Sequence, residues 1–330
     1  MPSVRFEGQA YPLETGESVL DCLLRHQQSL AHSCKSGLCQ SCLVQAVDSM
    51  PPAKAFNGLK PTLQATRHAL ACQWQPDGDV AIRLPASTDL DVEGTIAELQ
   101  LLNPAVMRVR VKPANAEALA DCRPGQFLTL TNAARVTRSY SVANDIRTDG
   151  VAEFHIASTA QGLFSSWIFQ HARAGDSLSL RGPAGACFYV AEQTQEQPLL
   201  LAGTGTGLAP LWGIVHDALR QQHRGPITLL HAATTPAHLY YRHELRALAQ
   251  AHRNFRYHAV IKQGPADDDS TEADAIATAL ALLPAERMAD TRLYLCGNPL
   301  FVSSLRKQAF LKGLRSAHIY SDPFVERSIA

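Results

Sequence analysis

Four cysteines constrain this chain more than any other feature: Cys34, Cys39 and Cys42 in one nine-residue run, and Cys72 after a gap of twenty-nine residues. The run Cys34-Lys35-Ser36-Gly37-Leu38-Cys39-Gln40-Ser41-Cys42 gives the spacing C-x4-C-x2-C…C, which suits the four thiolates of a 2Fe-2S cluster. One wrapped loop supplies three of them and a remote strand supplies the last. Gly37 fits a backbone folded over a cluster, because such a loop needs a residue tolerant of unusual φ. A zinc site would usually pair C-x2-C with another C-x2-C or with histidines, and no second pair exists. Disulfides would need an oxidising compartment, and the first residues lack the basic-then-apolar pattern of a secretory signal.

At 330 residues the chain exceeds one ordinary core, and a prior of about 150 residues per domain leads to two or three; three are expected. A hydrophobic content of 46% with 18% charged residues describes packed globular domains. No apolar stretch approaches the ~18 residues that would span a bilayer, so a cytoplasmic protein is expected. Thirty basic residues balance thirty acidic ones, which leaves no electrostatic footprint for nucleic acid or an anionic membrane. Residues 1–87 hold seven of each sign. A carrier that finds its partner by diffusion profits from a charged surface, so this neutrality suits one whose electron donor is tethered in the same chain.

The chain then divides by pattern. Residues 1–87 open with two short alternating strands turning at Gly8, then a helix over residues 18–24 with Cys22 on its apolar face, then the cysteine loop, and strands near Leu43 and Val80. Cys22 is expected in the core. Residues 85–91 read as a linker. Residues 94–190 alternate in short segments separated by turn signals such as Arg123-Pro124-Gly125, which argues for an antiparallel β-barrel. Residues 195–330 change period: buried strand runs alternate with helices, including expected helices from Leu211 and from Ala273, which describes a doubly wound α/β domain. Asp267, Asp268 and Asp269 read as a solvated loop.

Four motifs lie in the second and third segments. Arg138-Ser139-Tyr140-Ser141 offers a bidentate fork for phosphate and a flat ring. Gly162-Leu163-Phe164-Ser165 stands at the mouth of a helix expected from Ser166, where amide and hydroxyl donors suit the same anion. Gly203-Thr204-Gly205-Thr206-Gly207 sits between strand and helix, where nucleotide phosphates bind, although it is not the full dinucleotide fingerprint. Cys296-Gly297 ends a strand at the carboxyl edge, where ligands sit in such sheets. Cys296 reads either as a functional thiol or as a small buried residue.

In this order the motifs resemble, over nearly the whole chain, a plant-type ferredoxin of β-grasp fold fused to a ferredoxin-NADP reductase-like module, as in the reductases of benzoate dioxygenase, phenol hydroxylase and methane monooxygenase. The resemblance implies a 2Fe-2S cluster on Cys34, Cys39, Cys42 and Cys72. It implies FAD with its pyrophosphate on Arg138 and Ser165, Tyr140 against the isoalloxazine, Ser141 near N5, and Ser139, Gly162 and Leu163 alongside. Gly203, Thr204, Gly205, Thr206 and Gly207 would take the phosphates of a nicotinamide dinucleotide, with Cys296 and Gly297 by the nicotinamide and Phe324 as an aromatic lid on the flavin. His155 is counted with the FAD contacts, yet His155-Ile156-Ala157-Ser158 lacks the basic residue many relatives carry there. Asn144 stands where a serine is frequent. The implied function is electron transfer from NADH through FAD and the cluster to a Rieske or di-iron oxygenase component, or to its ferredoxin. Alternatives are a redox-sensing subunit and a free flavin or ferric reductase.

NADH is expected over NADPH. Residues 232–238, after the second strand of the α/β segment, contain no Arg or Lys for a 2'-phosphate; Arg242 is the nearest. A charged hydrogen bond is worth about 1.5–3 kcal/mol, so kcat/KM for NADPH should be lower by at least about tenfold. Equal values for the two coenzymes would contradict this reading.

Overall fold

A computed structural model describes residues 2–59, 64, 67–85, 91–120, 122–191, 195–266 and 270–324, and the statements that follow concern these. The chain divides into two compact units, residues 1–91 and 92–330. Most of the expected linker and the triplet Asp267, Asp268 and Asp269 lie outside the described residues. Among the described residues, no helix is long and apolar enough to cross a membrane.

The first unit rests on a mixed five-stranded sheet. β1 (Ser3–Phe6) and β2 (Gln9–Pro12) form a hairpin that turns through Glu7 and Gly8, both at positive φ. α1 (Val19–Arg25) begins where Ser18 caps it, the hydroxyl oxygen accepting from the Asp21 N–H at 3.1 Å. Its residues Val19, Leu20, Cys22 and Leu23 are buried, so Cys22 is core as expected. β3 (Leu43–Ala46), β4 (His68–Leu70) and β5 (Val80–Arg83) complete the sheet in the order β2-β1-β5-β3-β4. Only β1 and β5 pair in parallel. Leu43 lies opposite Leu70, which brings Cys42 and Cys72, each just beyond a strand end, to one edge.

The second unit opens with a curled antiparallel sheet. Its elements are β6 (Asp91–Asn103), β7 (Val106–Pro113), β8 (Phe127–Asn132), β9 (Thr137–Ser141), the short α2 (Ile146–Asp149), β10 (Ala152–Ala157), α3 (Leu163–Gln170) and β11 (Ser177–Ala184). The strand order is β10-β7-β6-β11-β8-β9. β8 shows the period-two reason for the sheet, burying Leu128, Leu130 and Asn132 while the residues between them stay half-exposed. The two outer strands curl toward each other: just past β9 the Ala143 N–H donates to the Glu153 carbonyl at 2.9 Å, and the Asn144 Oδ1 accepts from the Glu153 N–H at 2.8 Å.

A parallel sheet follows: β12 (Leu199–Thr204), α4 (Leu208–Arg220), β13 (Ile227–Ala233), α5 (Arg242–Ala251), β14 (Phe255–Ile261), β15 (Thr271–Glu272), α6 (Ala275–Ala281), β16 (Arg292–Gly297), α7 (Pro299–Leu311) and β17 (Ile319–Pro323). The order is β15-β14-β13-β12-β16-β17. β12 lies at the switch point, with β13 on one side and β16 on the other, the place where ligands bind beyond the carboxyl ends of the strands in such sheets. Its side chains feed two cores. Leu199 and Leu201 pack with Leu208, Leu211 and Ile214 of α4, whereas Leu200 and Ala202 pack with Ala279 of α6 and Phe301 and Leu305 of α7.

Three helices start at other residues than the sequence pattern predicts. α4 begins at Leu208 rather than Leu211, because Pro210 falls in the first turn, where its missing N–H leaves no bond unmade. α3 begins at Leu163 rather than Ser166, directly after Gly162. α6 begins at Ala275, since the Asp274 carboxylate caps it through the Ala277 N–H at 2.7 Å. The two-unit division predicts separable unfolding. Leu23→Ala empties a fully buried site in the first unit and should cost that unit about 2–5 kcal/mol. Calorimetry should show one melting transition lowered and the transition of the second unit unmoved; a joint shift would contradict the division.

Candidate functional site

The cysteine loop is shaped by backbone conformation. Lys35, Gly37 and Gln40 all have positive φ (52°, 84° and 54°), and a Cβ on Gly37 would lie 3.0 Å from the Gln73 side chain. The turns aim amides at sulfur: Cys34 Sγ accepts from Ser36 N at 3.4 Å and Cys39 N at 3.3 Å, and Cys39 Sγ from Cys34 N at 3.5 Å. Lys35 anchors the loop to α1 through Asp21 at 2.8 Å. Gln73 Nε2 donates to the Lys35 carbonyl at 3.2 Å and to Cys72 Sγ at 3.5 Å.

Burial alone would push the Cys34 thiol up, but the bonds from Ser36 and Cys39 outweigh it and hold its pKa down at about 6. Burial pushes Cys42 the other way, to about 12, with the Cys72 thiol hydrogen-bonded beside it. Among the described residues no three ligands converge as they would on a single metal ion. The sulfurs lie instead as two pairs, Cys34 with Cys39 and Cys42 with Cys72. Two pairs of thiolate donors supplied with N–H bonds fit a two-iron cluster.

In the second unit the predicted FAD residues gather around the start of α3 and the end of β9. In the turn before α3 a Cβ at position 162 would lie 2.0 Å from Thr159 Oγ1 and 2.4 Å from Ser165 Oγ, so a side chain there would displace both hydroxyls. The Ser165 hydroxyl is turned inward, 2.7 Å from Thr159 Oγ1 and donating to the Gly162 carbonyl at 3.1 Å. The outward donors there are therefore the amides of the first turn, Leu163 among them. Arg138 is half-exposed, with one N–H on the Thr137 carbonyl at 3.2 Å, and Ser139 is exposed on the same strand. The Tyr140 ring centroid lies 5.5 Å from that of Phe164. An arginine fork, free helix amides and a half-buried aromatic face fit a flavin dinucleotide.

Ser141 Oγ donates to Asp322 Oδ2 at 2.7 Å across 181 residues of sequence. Burial pushes the Asp322 carboxyl up, against the Ser141 hydroxyl that lowers it. The motif reading missed Asp322: it lies two residues before Phe324, and an Asp-Pro pair alone reads as a turn. Asp322 pairs in register with Cys296 of β16. Cys296 is fully buried, its Sγ 3.7 Å from that of Cys187, and burial pushes its thiol well up. The half-buried Phe324 leaves β17 with its N–H on the Gly297 carbonyl at 2.8 Å. His155 is buried with both ring nitrogens engaged, at 3.1 Å from Tyr240 Oη and 3.1 Å from Glu153 Oε1.

The glycine loop has the complementary shape. Thr204, Gly205 and Thr206 are half-exposed while Gly203 and Gly207 are buried. A Cβ on Gly203 would lie 2.7 Å from Leu211, and one on Gly207 would lie 2.4 Å from the Cys296 carbonyl oxygen. Gly205, at φ 54°, has nothing within 4 Å of its Cβ position. Backbone close to open space, beside the first turn of α4, fits a nucleotide phosphate.

Comparison with known proteins covers the same three parts. Residues 4–77 match the 2Fe-2S iron-sulfur cluster binding domain, 93–189 the oxidoreductase FAD-binding domain, and 201–307 the oxidoreductase NAD-binding domain. The chain is 30% identical over 95% of its length to the ferredoxin–NAD(P)+ reductase component of the naphthalene 1,2-dioxygenase system of Pseudomonas putida, 95% of which is covered. A Ralstonia reductase component of naphthalene 1,2-dioxygenase/salicylate 5-hydroxylase systems is 29% identical, with 94% of each chain covered. Among solved structures, the Amycolatopsis cytochrome P450 reductase GcoB superposes with a TM-score of 0.69 at 27% identity, covering 98% of this chain and 99% of that one.

The Asp322 carboxyl predicts a pH signature. Because its pKa is raised on folding above the ordinary 3.8, the folded chain holds that proton to higher pH than the unfolded chain. Its contribution to stability is therefore lost as pH rises through and above that value. The melting temperature of Asp322→Asn should gain on the wild type as pH rises above about 4. Parallel curves would contradict the desolvated placement of its carboxyl beside Ser141.

Proposed function

The chain belongs to the electron-transfer reductase components of oxygenase systems, and on that premise we propose that it draws on NADH and serves a Rieske or di-iron oxygenase component, or the ferredoxin that feeds one. The union of 2Fe-2S, FAD-binding and NAD-binding domains in one chain supports this reading over a redox-sensing subunit or a free flavin reductase. The names of the naphthalene dioxygenase relatives, which specify a ferredoxin, support a small carrier as the immediate acceptor. When bound, the nicotinamide supplies two electrons as hydride, FAD exchanges them in twos or ones, and the cluster carries one.

The residues of the chain hold and orient. Cys34, Cys39, Cys42 and Cys72 would bind the irons, with the Ser36 and Cys39 amides and Gln73 stabilising charge on sulfur. Arg138 and the first-turn amides of α3 would grip the flavin pyrophosphate, and Tyr140 would face its ring. The backbone at Gly205 and the start of α4 would receive the dinucleotide phosphates. Ser141, its proton engaged by Asp322, would present oxygen lone pairs toward the flavin, while Phe324 would exclude water from the face that the nicotinamide takes.

The two pairs of thiols in their amide-lined loop carry this reading. Cys72→Ser should abolish the cluster absorbance, leave FAD stoichiometry and NADH–ferricyanide activity in place, and collapse cytochrome c reduction. Loss of both activities together would contradict a modular electron path.

A further inference from the structure

Between the curled and parallel sheets of the second unit lies a buried polar chain that the electron-transfer reading does not use. Glu153 and His155 project from β10 away from the barrel core, in alternation with the core residues Phe154 and Ile156. Glu153 Oε1 lies 3.1 Å from His155 Nε2 and accepts from Tyr241 Oη at 3.3 Å, while Arg110 Nε stands 3.7 Å from Oε2. Burial raises the Glu153 pKa, but His155 and the arginines outweigh it, so the carboxylate stays ionised; burial keeps His155 neutral. The imidazole therefore carries its proton on Nε2, toward the carboxylate, and Nδ1 accepts from Tyr240 Oη at 3.1 Å.

Tyr240 and Tyr241 end the segment that follows β13, with Tyr241 in the left-handed region at φ 56°. That segment is also held at His238, whose carbonyl accepts from Asn103 Nδ2 of β6 at 2.9 Å. The Tyr240 ring meets His231 edge-on at a centroid distance of 5.4 Å, and His231 Nε2 lies 3.1 Å from the Gly205 carbonyl. Residues of the curled sheet thus hold the segment after β13 at three points and reach the glycine loop through one ring contact.

We propose that Asn103, Glu153 and His155 are positioning residues for the nicotinamide dinucleotide: by clamping residues 238–241 they set the affinity for its adenosine half without touching it. This rests on the reading that the loop after β13 faces the adenosine ribose, as the carboxyl end of the second strand does in doubly wound sheets. The clamp couples coenzyme affinity to side chains of the flavin-binding sheet, so the two cofactor sites share one hydrogen-bonded frame.

The test is calorimetric titration of the full-length, flavin- and cluster-loaded chain with ADP-ribose, comparing wild type with Tyr240→Phe and Asn103→Ala. Tyr240→Phe keeps the ring and removes only the hydroxyl; Asn103→Ala releases the other end of the segment should the first variant fail to fold. Each should bind ADP-ribose about tenfold more weakly, as loss of about one buried hydrogen bond implies, with FAD stoichiometry unchanged. Wild-type affinity in either flavin-loaded variant would overturn the proposal, as would loss of FAD in step with affinity. A purely structural role would lower the melting temperature and leave the affinity where it was. Because the titration needs no turnover, failure of the electron-transfer reading would appear separately, as wild-type protein that does not oxidise NADH.

Discussion

Backbone touches backbone where β12 and β16 end. A Cβ on Gly207 would lie 2.4 Å from the Cys296 carbonyl oxygen, and one on Gly297 would lie 2.5 Å from the Thr204 carbonyl oxygen, so neither position accepts a side chain. Thr204 Oγ1 closes the contact by accepting from the Asn298 N–H at 2.8 Å. The approach fixes where α4 and α7 begin, since Gly207 and Asn298 are their caps. It also fixes the end of β16 against β17, and through the Cys296–Asp322 register it sets Asp322 within reach of Ser141. Enlarging either glycine would move the glycine loop and the Ser141 hydroxyl together.

Within each unit, buried polar groups are met by the same logic. A buried charge is tolerable only when its lone pairs and protons are met. In the first unit backbone amides meet the sulfurs of the cysteine loop, which prepares thiolates for metal. In the second, Glu153 is met by His155, Tyr241 and Arg110. Asp322, with Ser141 as its hydroxyl partner, has its carboxyl pushed up instead. The charged form survives where partners suffice.

The sequence made the local features legible and left the distant ones hidden. Cysteine spacing, the glycine loop and the alternation of β8 depend on neighbours within a few residues, so motif and period reveal them. Helix starts were read three residues late at α3 and α4 and two residues early at α6, because Gly162, Pro210 and Asp274 act through first-turn geometry that an apolar pattern does not record. Asp322 and Tyr240 gave no local signal, since their partners Ser141 and His155 lie 181 and 85 residues away. The alternation of β10 turns the His155 ring away from the core residues on either side and onto Tyr240, a partner that no local pattern announces. Cys296 was left between two readings, and its partner Cys187, 109 residues away and 3.7 Å from its Sγ, gave no local signal either.

The central claim is that one chain takes electrons in pairs and delivers them singly. Anaerobic reductive titration of the loaded protein, followed by flavin absorbance and by electron paramagnetic resonance of the cluster, tests it most directly. Two electrons at the flavin and one at the cluster should sum to about three per chain, with a signal of about one spin from the reduced cluster after NADH alone. Uptake of only about two electrons, with no cluster signal from NADH, would contradict the account.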